Sequence, residues 1–92
     1  MKSIIQKNKE CLITGTLYAL DEHHVFEGTA KRKLSEKYGL KVWLCNHHHT
    51  GQAGVHKHKD FDLILERLAQ EYYEKHYGTR EDFIKEFGKN YL

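Results

Sequence analysis

Apolar residues recur at helical spacing over one long stretch. Phe61, Ile64, Leu65, Leu68 and Tyr72 follow the i, i+3, i+4, i+7 pattern that turns one face of an α-helix toward a core. Asp60 stands where an N-cap acceptor would open this helix, and its end is expected near Gly78. A last helix is predicted from Thr79, which forms an S/T-x-x-D/E start signal with Asp82, places Phe83, Ile84 and Phe87 on one face, and stops at Gly88. Upstream, Ala30 to Tyr38 consists of good helix formers and meets Gly39, a residue suited to a left-handed C-cap. Leu40 to Cys45, with Val42 and Trp43, is β-prone and reads as a strand. His47 to Gly54 reads as a loop, and Cys11 to Val25, around Gly15, as a short hairpin or an extended lead-in. Tyr38, Trp43, Phe61, Leu65, Leu68 and Tyr72 are the expected core, and Tyr72, Tyr73 and Tyr77 either extend it or form a subunit contact.

At 92 residues this is one domain, close to the lower size at which a core suffices without a metal, a partner subunit or long helices. Eleven aromatic residues and the absence of proline argue against a disordered chain, although only 39% of residues are hydrophobic. No apolar run approaches the roughly 20 residues of a membrane span, and the N-terminal stretch lacks the apolar segment of a signal peptide. A soluble protein of the cytoplasm is therefore expected. Two cysteines, Cys11 and Cys45, are too few for a disulfide framework; metal binding and plain burial are both open to them.

The formal charge of +2 excludes a polycationic nucleic-acid coat, so any such contact must come from local clusters, of which Lys31-Arg32-Lys33 is the strongest. Eight histidines are far above ordinary usage, and all but His76 lie between His23 and His58. They fall into groups: His23-His24, His47-His48-His49, and His56 with His58. A hydrolytic metal site needs two or three fixed ligands and an open coordination position, and imidazole suits Zn, Ni, Mn and similar ions. Neighbouring histidines on extended backbone point in opposite directions, so one can bind metal while the other faces a substrate. Ordinary roles compete for several of them: His47 as a solvated loop residue, His58 as a helix-start residue, His76 as structural or exposed.

The chain resembles the HNH (ββα-metal, His-Me finger) endonuclease superfamily, and more closely its small phage-encoded nucleases. The resemblance is carried in order by His23-His24-Val25-Phe26-Glu27-Gly28, Arg32-Lys33-x-Ser35-Glu36-x-Tyr38-Gly39-Leu40, Leu44-Cys45-x-x-His48-His49, Gly54-Val55-His56 and Phe87-Gly88-Lys89-Asn90-Tyr91-Leu92. It implies an α+β fold filling residues 1–92 as a single domain: a ββα-metal core over about residues 11–77, a short helix between the strands, and one or two further C-terminal helices, the last over about 79–88. It also implies His23, His49 and His56 as ligands of one divalent ion (Zn, Mg, Mn or Ni) and His24 as general base. The implied reaction is hydrolysis of DNA phosphodiesters in recombination, replication or processing, with Lys31, Arg32 and Lys33 gripping phosphates. In a phage-encoded protein the setting would be the bacterial host cytoplasm, and cutting both strands with one site per chain favours a homodimer.

Two departures stand out. The superfamily's middle asparagine has no equivalent before the second strand, where Gly39 and Leu40 stand. The paired Cys-x-x-Cys motifs that hold a structural zinc in many relatives become Cys11-x-x-Thr14 and Cys45-x-x-His48, so a second site would draw on Cys11, Cys45 and His48, with His58 as a further donor. The competing readings are a non-catalytic zinc-stabilised module that binds DNA or protein, whose metal would be closed by four protein ligands, and a helical partner-binding protein whose histidines only scavenge metal.

Overall fold

A computed structural model describes residues 1–92. The order is β1 (Leu20–His24), α1 (Thr29–Tyr38), β2 (Lys41–Cys45), α2 (Asn46–His49), α3 (Lys59–His76) and α4 (Arg80–Phe87). This is an α+β chain with a two-stranded antiparallel sheet, in which Leu20 pairs with Cys45, His23 with Val42 and His24 with Lys41. No helix is long and apolar enough to cross a membrane.

Local chemistry accounts for most boundaries. Gly39 closes α1 at φ 69°, ψ 27°, a left-handed conformation open to glycine without steric cost, and a Cβ there would run into the Lys2 carbonyl. Thr79 and Asp82 form the expected reciprocal capping box, and Gly88 ends α4 in the left-handed region. The long helix differs at its start: it begins at Lys59 with His58 in the cap position, and Asp60 lies inside the first turn, where its charge faces the helix dipole without capping a backbone N–H.

The Cys11 to Val25 region is no hairpin. A tight turn, in which Gly15 N–H donates to the Cys11 carbonyl and Cys11 N–H to the Thr16 carbonyl, folds residues 11–16 on themselves, and only Leu20–His24 is a strand. Its partner is β2, reached across α1. The predicted loop after β2 starts with one helical turn, Asn46–His49, whose Asn46 carbonyl accepts from both Thr50 and Gly51 N–H.

The core joins Val25, Phe26, Leu40, Val42, Leu44 and Val55 to Leu65, Ala69 and Tyr73 of α3 and to Phe83 and Phe87 of α4. The inward row of α3 is therefore Leu65, Ala69 and Tyr73; Ile64 is 62% exposed, and Leu68 is only half-buried. Trp43 faces the N-terminal segment rather than the core, with Lys9 Nζ 4.6 Å from its ring. That segment covers the free edge of β2: Trp43 N–H donates to Gln6 Oε1 (2.6 Å), Leu12 N–H to the Trp43 carbonyl (2.9 Å), and Ser3 Oγ to the Lys41 carbonyl (2.5 Å). Buried Ser35 ties α1 to the end of β1 by accepting from Phe26 N–H and donating to the Phe26 carbonyl, both at 3.1 Å.

Candidate metal centre

Strand alternation puts His23 and Asp21 on one face of β1 and His24 and Glu22 on the other. On the first face, the turn of α2 brings His49 to His23, and the segment before α3 brings His56. Ligand nitrogens of His23, His49 and His56 all lie within 4.8 Å of one another. The ring centroids are 5.2 Å (23–49), 5.3 Å (23–56) and 4.7 Å (49–56) apart.

The hydrogen bonding behind these rings fixes which nitrogens are free. His49 Nδ1 lies 3.1 Å from Asp21 Oδ2, and His56 Nδ1 lies 2.9 Å from Glu27 Oε1. Each carboxylate takes the Nδ1 hydrogen, so the lone pairs are on the two Nε2 atoms, which face each other at 3.1 Å. Two lone pairs at that separation repel unless a proton or a metal cation lies between them. His23 Nε2 is buried with no hydrogen-bond partner at all. Burial, followed by the neighbouring His49, His56 and His24, holds the His23 ring down at about 3, so it stays neutral as a ligand must. Donor atoms on one tetrahedral zinc lie about 3.3 Å apart, given metal–nitrogen distances of about 2.0–2.1 Å. The donor set thus fits a divalent ion. Asp21 and Glu27, the carboxylate partners of His49 and His56, carry no signal in the sequence beyond the position of Asp21 two residues before His23.

A cavity of about 310 Å³ opens over this cluster, lined by His23, His24, His49 and His56 together with Glu22, Glu27, Gly28 and Arg32, with no hydrophobic residue. A second cavity, about 410 Å³, shares His24 and Arg32 with it and adds Thr29, Lys33 and Glu36. The basic triplet is therefore divided. Arg32 and Lys33 line this groove, whereas Lys31 lines a different pocket with Asp62, Glu66 and Tyr91.

The second predicted group also assembles. Cys11, Cys45 and His48 place donor atoms within 4.8 Å of one another, and Cys45 Sγ is 3.2 Å from His48 Nδ1. Burial pushes the Cys11 thiol up, but hydrogen bonds from the Thr14 hydroxyl and from the Cys45, Thr14 and Ile13 backbone outweigh it and leave it at about 7. His58 joins neither group; its Nε2 lies 2.8 Å from the Gln52 carbonyl. His47 is exposed, and His76 stacks on Tyr72 at 5.9 Å near the end of α3. No protein-family model, no curated protein and no solved structure matches the chain.

Proposed function

We propose that this chain is an HNH-type, metal-dependent DNA endonuclease built on a ββα-metal core. The observation that carries the reading is the convergence of His23, His49 and His56, whose ligand nitrogens lie within 4.8 Å of one another, beside a second histidine, His24, on the same strand. His23, His49 and His56 would hold the divalent cation, with Asp21 and Glu27 steering two of the rings. Bound there, the cation would supply Lewis-acid stabilisation of the charge that gathers on the phosphate and the leaving 3′-oxygen. His24, at the wall of the same cavity, takes a proton from the water that attacks phosphorus. Arg32 offers a planar, bidentate donor to phosphate oxygens, and Lys33 extends the positive edge along the groove.

In this reading Cys11, Cys45 and His48 would hold a structural zinc. A zinc there would pin the turn at residues 11–16 to the end of β2. The alternative, a non-catalytic zinc module, draws on this same group. Ligand count separates the two, because a cation at the three histidines retains an open position and a purely structural one does not.

The test is cleavage of plasmid or branched DNA by the full chain with added Mg²⁺, Mn²⁺, Zn²⁺ or Ni²⁺. His24→Ala is expected to slow cleavage about 10²- to 10⁴-fold while leaving metal binding intact. Full activity in that variant removes His24 as the base, and a wild-type chain that binds metal yet cuts nothing favours the module.

A further inference from the structure

We infer that Glu36 is the positioning residue that sets the ring orientation and tautomer of His24, locked in turn by Lys41. The inference rests on the nuclease reading above, in which His24 removes the proton. His24 and Lys41 are directly paired across the sheet, so their side chains leave the same face. The Ser35 clamp on Phe26 seats α1 over that face and brings the next residue, Glu36, down on both. Glu36 Oε1 lies 3.0 Å from His24 Nε2, and Lys41 Nζ lies 3.1 Å and 2.8 Å from the two carboxylate oxygens. The lysine side chain is only 8% exposed and also reaches Glu22 Oε1 at 3.3 Å, while the Met1 amino group meets Glu36 Oε2 at 2.7 Å.

These contacts determine what Glu36 can do. With hydrogen bonds from Lys41, the Met1 amino group and His24, its carboxyl is held well below the usual carboxylate range. An ionised carboxylate can only accept, so His24 must present a hydrogen on Nε2. The lone pair then falls on Nδ1, and His24 forms part of the wall of both cavities. Lys41, buried between two carboxylates, keeps Glu36 from rotating away. Glu36 therefore does for the base what Asp21 and Glu27 do for the metal ligands. The helix between the strands thus supplies an orienting group in a chain that has Gly39 and Leu40, and no asparagine, directly before the second strand.

The test compares Glu36→Ala and Glu36→Gln in the full chain, by cleavage kinetics and by nitrogen-resolved NMR of the histidine rings in chelator. Glu36→Ala is expected to lower kcat about ten- to hundredfold with KM nearly unchanged, and Glu36→Gln, which keeps an acceptor oxygen, to lose less. In a His24→Ala background, the cleavage restored by added imidazole should be the same whether or not Glu36→Ala is also present. An equal fractional loss in that background overturns the proposal, because a group acting through His24 has nothing left to act on. The NMR arm reads the ring without DNA: His24 should carry hydrogen on Nε2 in the wild type and shift toward Nδ1 in Glu36→Ala, and in Glu36→Gln to a smaller extent should Glu36→Ala not fold. An unchanged tautomer overturns the positioning role. A wild-type chain that cuts no DNA but shows the shift overturns the nuclease reading and leaves the Glu36–His24 coupling standing.

Discussion

Replacing His23 by leucine separates what this histidine costs from what it is for. Its Nε2 is buried without a partner, and leaving such a group unsatisfied costs about 1–3 kcal/mol. Leucine fills a similar volume without a polar atom. In chelator at pH 7, His23→Leu is therefore expected to be more stable than wild type by about 1–3 kcal/mol. Acid widens the gap. The ring titrates at about 3 in the folded chain against an ordinary 6.5, so the unfolded state binds the extra proton, and wild-type stability falls as pH drops from about 6.5 toward 3. Between pH 7 and pH 5 that linkage amounts to about 2 kcal/mol, a loss the leucine variant escapes. Zinc or manganese should reverse the order, stabilising wild type in proportion to ligand excess and leaving the variant unmoved at this centre. Urea denaturation followed by circular dichroism at pH 7 and pH 5, with and without metal, measures all three differences. A variant less stable than wild type in chelator, or a gap that does not widen at pH 5, would refute the reasoning.

Three further outcomes rest on the same geometry. Cys45→Ser should remove one equivalent of zinc per chain in native mass spectrometry while the histidine centre still fills; an unchanged zinc count would show that the cysteines are only buried thiols. Arg32→Gln should weaken DNA binding across sequences and lower the slope of log K against log salt by about 1, and an unchanged slope would take Arg32 off the phosphate path. Phe83→Ala, at a fully buried ring stacked 4.5 Å from Phe87 and edge-on to Tyr73 at 5.3 Å, should cost about 3–5 kcal/mol in denaturation, and a cost under about 1 kcal/mol would place the core elsewhere.

How much of the fold is legible in the chain varies with the range of the interactions involved. The helix ends at Gly39 and Gly88 and the box at Thr79 are readable because each depends on backbone conformation or on a bond to a residue three positions away. The inward face of α3 departs from expectation at Ile64, since a wide apolar stripe does not say which of its edges meets the other helices; Leu65, Ala69 and Tyr73 do, and Ile64 meets solvent. Of the two readings of Cys11 to Val25, the extended lead-in holds at Leu20–His24 and the hairpin fails for a related reason. The glycine does make a turn, but the strand partner lies beyond α1, and pairing at that distance leaves no local trace.

Residue chemistry and short-range backbone preference are thus enough to specify most of the element types, the stops of α1 and α4, and the unusual stock of histidines and cysteines. Which histidines meet is a matter of long-range packing. His23, His49 and His56 come from a strand, a helical turn and a loop, and the sheet register together with the seating of Val55 in the core sets their separation. The carboxylates behind the rings, Asp21, Glu27 and Glu36, belong to that same long-range level, because a hydrogen bond of about 3 Å depends on where distant backbone segments are held and not on how far apart two residues stand in the chain.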